Sequence, residues 1–347
     1  MHASGGQAAD APNVLHDRID ATVRERVARS GVVGAVVGVW VPDRCDFLRG
    51  YGLSDVATGT AFSVGDSFRI GSITKTFTAT AVLMLVDRGA FRLDDRLSDF
   101  IPGVPHGERI TVRHLLNMTA GVYNYSDAPE LTAPPGPTAA FGVRNVLRIV
   151  RENRPDFSPG AAGRWRYSNS NYILLGEIIE QAMGIPARQF LQTEIIDALG
   201  LTATSYPEGP EIPPPAARGY LSAQTGQPRR DVTNINPAVA GTAGAIISTI
   251  SDLRRWSNAL VTGTLLSEVS HAEQLTFVTS HPGTGYGAGL VNVNGYLGHD
   301  GGIYGYGAAM FQHPGTDTTI VVATNTSGAF ETDTFAQLAN LINTSSA

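Results

Sequence analysis

A single lysine stands among the 25 lysines and arginines of this chain, and it falls three residues after a serine, in Gly71-Ser72-Ile73-Thr74-Lys75. The apolar run Phe77 to Val86 follows, so the spacing predicts a helix beginning near Ser72. One helical turn would bring Ser72 and Lys75 onto the same face with Cβ atoms roughly 5–6 Å apart. Guanidinium stays protonated in proteins, whereas a desolvated ammonium can lose its proton near neutral pH. Neutral Lys75 could then accept the proton of Ser72 and make it a nucleophile.

Two other segments carry groups that would complete such a site. Tyr167-Ser168-Asn169 follows the loop Phe157-Ser158-Pro159-Gly160 and precedes a helical run from Tyr172 to Met183. A phenol beside a cation has a lowered pKa and can relay a proton to a leaving group. Asn169 offers both a donor and an acceptor to a substrate amide. Read without chemistry, the same words are a helix entry with Ser168, Asn169 and Asn171 competing as caps. Gly298-His299-Asp300-Gly301-Gly302 lies between two strand-like runs, and its glycines allow close approach of backbone to a ligand. Its plainer reading is a hairpin turn with an incidental histidine. Gly65-Asp66-Ser67 competes as a second serine triplet, but no histidine or lysine stands near it in sequence.

The elements that must hold these residues follow from periodicity. Val14, Leu15, Ile19, Val23 and Val27 mark an amphipathic helix over 14–29. Gly34–Val41 and Cys45–Tyr51 read as a strand hairpin, with a short strand over Ser67–Ile70. From Thr74 to about residue 240 the pattern is helical: Thr76–Asp87, Leu93–Phe100, Ile110–Asn117 capped by Thr111, Arg144–Glu152, Tyr172–Met183 and Gln189–Leu199. Pro/Gly-rich loops fall at Ala133–Pro137 and Gly209–Ala217. Ser251 reads as the cap of a helix through Leu260, followed by strands over Gly287–Val293, Tyr306–His313 and Thr318–Thr324 and a helix over Phe330–Ile342. Strands at both ends around a helical middle predict an α/β domain of residues 1–72 and 241–347 and a mostly helical domain of 73–240, with Ser72 at the cleft between them.

Composition narrows the function classes. A net charge of −6 with arginines scattered rather than clustered excludes a phosphate-tracking surface, so nucleic acid is not an expected partner. From Ser257 to Ala347 there is no Lys or Arg. Cys45 is the only cysteine, which excludes an internal disulfide and a cysteine-built metal site. No metal or cofactor is called for; the expected partner is a small-molecule or peptide substrate, with oligomeric state left open. No run of 18 apolar residues suggests a membrane span, and Met1–Pro12 has no export-signal pattern. The chain as it stands reads as cytoplasmic, or as secreted if an export signal has been removed.

Taken together, Ser-x-x-Lys, Tyr-x-Asn 95 residues on and a late His-x-Gly resemble the serine acyl-transferase superfamily of class C β-lactamases, D,D-peptidases and family VIII-type esterases. The likeness runs through Phe68-Arg69-Ile70, Ile110-Thr111-Val112-Arg113-His114-Leu115-Leu116, Pro159-Gly160, Leu199-Gly200-Leu201, Ser248-Thr249 and Asp252-Leu253, from about residue 15 onward. It implies an antiparallel sheet flanked by terminal helices with a helical insertion. By motif it implies Ser72 as nucleophile, Lys75 as its proton acceptor, Tyr167 as general acid/base, and Asn169, His299 and Gly301 at the substrate. The oxyanion hole would be the N–H groups of Ser72 and Gly302, a kind of donor worth about 3–4 kcal/mol each.

The chain departs from that pattern at Asp300, where the peptidases and β-lactamases usually carry a hydroxyl beside a cation. A carboxylate 4 Å from a substrate carboxylate repels it by about 4 kcal/mol at an effective dielectric of 20. The departure predicts a neutral or amine-bearing ester or amide substrate unless strand pleating turns Asp300 away from the site, with D-alanyl-D-alanine carboxypeptidase, D-aminopeptidase or β-lactamase-like activity as the alternative. A non-catalytic binding protein with the same fold is a third reading, since fold does not fix function.

Overall fold

A computed structural model describes residues 12–132, 141–222, 229–281 and 283–344. Its centre is an antiparallel sheet whose middle strands come from the two ends of the chain. β1 (Gly34–Val41) pairs on one side with β2 (Cys45–Asp55) and on the other with β11 (Thr318–Thr324). Every residue of β1 and of β11 is buried, which accounts for their nearly continuous apolar sequences. With β3 (Thr60–Ala61), β6 (Val278–His281), β7 (Thr284–Tyr286), β8 (Val291–Val293), β9 (Tyr296–Ile303) and β10 (Tyr306–His313), the sheet order is β3-β2-β1-β11-β10-β9-β8-β7-β6.

The two faces of the sheet bury different layers. One carries Ala35, Val37, Ala309, Phe311, Ile320 and Val322 under α1 (Pro12–Ser30) and α6 (Phe330–Thr344). The other carries Val36, Ala308, Met310, Val321 and Ala323, continuous with α2 (Thr74–Asp87), α3 (Val143–Glu152), α4 (Asn169–Met183) and α5 (Ile250–Thr262). α2 is buried on all sides from Thr74 to Leu85, as a helix at the centre of a core must be, and its buried threonines and Lys75 are hydrogen-bonded.

Several local expectations are corrected. The strand before Ser72 is only β4 (Phe68–Arg69), and it pairs with β5 (Ile247–Ser248) in a small separate sheet. Only Leu97–Phe100 of the expected 93–100 helix is helical; Asp95 turns its carboxylate back onto the Arg92 N–H and holds the preceding residues in a turn. Helix α5 is capped by Thr249, whose hydroxyl accepts from the Asp252 N–H, rather than by Ser251. The run Gly287–Val293 is a strand only from Val291, because Gly289 takes φ +76°. Gln189–Leu199 is a short helix, Ala187–Leu191, continued by a π-type turn, Gln192–Asp197. The Gly209–Ala217 loop contains a cis Pro214–Pro215 bond, while the proline loop at 133–137 lies outside the described residues. Among the described residues no helix is long and apolar enough to cross a membrane.

Candidate active site

The route into the Ser72 turn is set by β4, which delivers the chain to Gly71 at φ +51°. A Cβ at Gly71 would lie 2.9 Å from the Gly302 nitrogen, so glycine is required on two counts. Gly71–Ile73 forms a 3-10 turn and α2 begins at Thr74, slightly later than the spacing predicts. Ser72 is half-buried and Lys75 is fully buried.

Lys75 Nζ has three polar neighbours: Ser72 Oγ at 2.8 Å, Asn169 Oδ1 at 2.7 Å and the Ala243 carbonyl at 2.8 Å. A carbonyl and an amide oxygen can only accept, so two N–H bonds of the lysine are committed to them. A neutral amine then has its lone pair left for the Ser72 hydroxyl. Burial holds the Lys75 ammonium well below the usual lysine range, with the Asp300 carboxylate opposing it.

Tyr167 donates to Ser72 Oγ at 2.7 Å, with Lys75 Nζ 4.9 Å from its ring centre. The expectation that a cation would lower this phenol is corrected: burial raises it, only partly offset by the bond to Ser72. Tyr167 therefore stays a protonated hydrogen-bond donor. Asn169 is the first residue of α4, three residues earlier than the apolar pattern suggests. Ser168 provides no side-chain cap; instead Asn124 Oδ1 accepts from the Asn169 N–H at 3.0 Å. Asn169 Nδ2 donates to Ser126 Oγ at 2.9 Å, which fixes the orientation of the amide toward Lys75. Asn124, Ser126 and the Ala243 carbonyl were not singled out by sequence; the only trace of the first two is the polar run Asn124-Tyr125-Ser126-Asp127 in a helical region.

The third segment is the end of β9. β8 pairs with β9 only as far as Gly298, so His299–Ile303 have β10 on one side and the Ser72 turn on the other. Gly301 is required for that contact, since a Cβ there would sit 2.1 Å from the Ile70 carbonyl and 2.6 Å from the Ser72 nitrogen. Tyr304-Gly305 closes a two-residue hairpin with Ile303 opposite Tyr306. Antiparallel alternation from that closing pair leaves the Gly302 N–H directed away from β10, beside the Ser72 turn. His299 is buried 6.2 Å from the Tyr167 ring. Burial and the nearby Lys75 push it down to about 4, against the opposing effect of Asp300.

Asp300 is opposite Ala309 and therefore on the other pleat from His299, with its side chain 48% exposed. Its charge is felt by Lys75, Tyr167 and His299 on one side of the sheet and by Glu331 on the other. The competing triplet is a turn: Asp66 accepts from the Ser63 N–H and Ser67 is buried under the Pro215 carbonyl. Among the described residues no group of three or more acidic, histidine or cysteine side chains could hold a metal ion.

Residues 19–342 match the family model described as beta-lactamase. The chain belongs to the beta-lactamase family. It is 26% identical to a putative penicillin-binding protein of Bacillus subtilis over 80% of this chain and 66% of that protein, so it spans just under two thirds of that relative's length. Penicillin-binding protein 4 of Amycolatopsis lactamdurans is 27% identical over 88% of this chain and 85% of its own. Among solved structures, a D-stereospecific amidohydrolase from a Streptomyces species superposes with a TM-score of 0.83 at 32% identity, covering 92% of this chain and 96% of the other.

Proposed function

We propose that this beta-lactamase-family chain is a serine acyl-enzyme hydrolase or acyl transferase with Ser72 as nucleophile. The observation that carries the reading is the environment of Lys75: two acceptors consume its N–H bonds, a serine hydroxyl lies at the third position, and burial disfavours its charge. In the proposed reaction Ser72 Oγ bonds to the substrate carbonyl carbon while its proton passes to Lys75 Nζ. The N–H groups of Ser72 and Gly302 receive the oxyanion. As the bond to the leaving group breaks, Tyr167 gives it a proton, and the phenolate recovers one from the Lys75 ammonium beside its ring. Water or an amine then attacks the acyl-enzyme by the same steps in reverse.

For substrate we infer an ester or amide without a free carboxylate at the β9 strand, neutral or carrying an amine. Asp300 supports this, as does the lack of any Lys or Arg after Arg255. Likeness to a D-stereospecific amidohydrolase supports the amide form. In the same reading, residues 1–72 with 241–347 and residues 73–240 are the two units that meet at Ser72. Intact-protein mass spectrometry after incubation with a p-nitrophenyl ester and, separately, a penicillin tests all of this against Ser72→Ala. A Ser72-dependent adduct or turnover with the ester alone is the expected result. Stable penicilloylation would return the D,D-peptidase reading, and no adduct with either would leave a binding protein.

A further inference from the structure

Tyr286, at the end of β7, is not part of any of the three motifs, yet it is buried against the one segment of β9 that has no strand on its outer edge. Its hydroxyl lies 3.2 Å from His299 Nε2, and its ring meets those of His299 and Tyr167 edge-on, at 5.8 and 6.2 Å. The connection after it is pressed onto the catalytic helix: a Cβ at Gly289 would be 2.7 Å from the Lys75 carbonyl and 3.0 Å from the Tyr172 hydroxyl. The phenol therefore has little freedom to move away.

The tautomer of His299 follows from its other nitrogen. Nδ1 is in hydrogen-bond contact with the Asp300 carbonyl oxygen, which can only accept. Nδ1 must carry the proton, and in the neutral ring Nε2 is then an acceptor facing Tyr286. The neighbouring Tyr172 spends its own hydrogen on the Leu116 carbonyl at 2.8 Å and can only accept from Tyr286; the hydroxyl that faces the unprotonated Nε2 as a donor is that of Tyr286. Alternation along β9 turns the Asp300 carbonyl, like the Gly302 N–H, away from β10. His299 thus satisfies the carbonyl that no strand reaches, and the Gly302 N–H is left as the open donor two residues on.

We propose that Tyr286 is a positioning residue that holds His299 as its neutral, Nδ1-protonated tautomer, so that the imidazole closes the Asp300 carbonyl and fixes the Gly302 N–H toward the Ser72 turn. His299 then acts as a fixed part of the strand edge and not as an acid, base or cation. The groups facing it are Lys75 from α2, Tyr167 from the turn before α4, Tyr286 from β7 and Asp300 from β9; of these Asp300 favours its protonation and Lys75 opposes it. A donor at Nε2 favours the neutral ring in the same direction as burial.

The test is Tyr286→Phe, which keeps the ring and removes the donor. Nitrogen NMR of histidine-labelled protein should show an unprotonated His299 Nε2 in the native chain. In Tyr286→Phe, loss of the neutral-state donor should mix the tautomers and raise the titration of His299. Because the oxyanion donor matters most in the transition state, kcat on an ester should fall roughly tenfold with KM changed by less than about twofold. In a His299→Gln background, where no tautomer remains to be set, the same Tyr286→Phe change should cost almost nothing further. A protonated Nε2 in the native chain overturns the proposal, as does a tautomer and titration unmoved by Tyr286→Phe, or an undiminished loss in the His299→Gln background. The kinetic arms rest on the acyl-enzyme reading proposed above; the NMR arm does not, so the two can fail separately.

Discussion

Lys75 and Glu331 are both buried ionisable groups on opposite faces of the same sheet, and they are provided for in opposite ways. Lys75 has a partner for each of its hydrogens and for its lone pair. Glu331, 4% exposed in the first turn of α6, lies against Gly307, where a Cβ would be 2.3 Å from Oε2, and that oxygen has no hydrogen-bond partner. Burial pushes Glu331 up to about 7, with Asp300 and Asp333 adding to the rise. Desolvation thus neutralises both groups, but only at Lys75 is the neutral form what its neighbours require. In the proposed reaction the burial of Lys75 makes it a base; at Glu331 burial remains a cost.

The sharpest way to break this comparison is Lys75→Arg. The guanidinium cannot surrender its proton at any working pH, so acylation of Ser72 should fall by about three orders of magnitude or more. Stopped-flow acylation by a p-nitrophenyl ester would measure it, with Lys75→Met as a variant that removes the base without placing a permanent charge there. If Lys75→Arg acylated at a rate within about tenfold of the native chain, Lys75 would not be the base.

Glu331→Gln addresses the other half. The folded state holds this proton more tightly than the unfolded chain, so stability is full below 4.5 and is lost as the pH climbs from there toward 7. That span corresponds to roughly 3 kcal/mol. The amide should remove the slope and leave the variant several degrees more stable at pH 8, with little change at pH 4.5. Calorimetry at the two pH values decides it: an unchanged slope would place the pH sensitivity on another group.

The same contrast explains what could be read from sequence. Ser72 and Lys75 are one turn apart where the Gly71–Ile73 turn runs into α2, and Tyr167 and His299 sit in short words whose residue types are unusual, so their chemistry is local enough to see. Ala243 contributes only a carbonyl, which every residue has, and Asn124 and Ser126 differ from ordinary loop residues only in what lies opposite them. Tyr286 reads as a core aromatic and Glu331 as an acid suited to the first turn of a helix. β1, β10 and β11 were legible because each is almost wholly buried, whereas β6 and β7 are short and half-buried and carry no alternation long enough to detect. Thr249 and Ser251 are both good caps, and only the Asp252 N–H chooses between them.

Asp300 connects the two halves of the comparison, since its charge favours protonation at both Lys75 and Glu331. Asp300→Asn should therefore act on both at once, and with the smallest effect, because the side chain is half-exposed and water screens it. At Lys75 the carboxylate stabilises the ammonium, so its loss lowers the lysine further and moves the acid limb of the acylation rate to lower pH. At Glu331 it opposes a second negative charge, so its loss moves the stability slope to lower pH as well. Both shifts have the same sign although one group is a base and the other an acid, because Asp300 favours the protonated form of each. A pH–rate profile and a pH–stability profile on the one variant test this jointly. A shift in stability without one in rate would mean that Asp300 belongs to the α6 side of the sheet alone, and the exclusion of carboxylate substrates would then need another source.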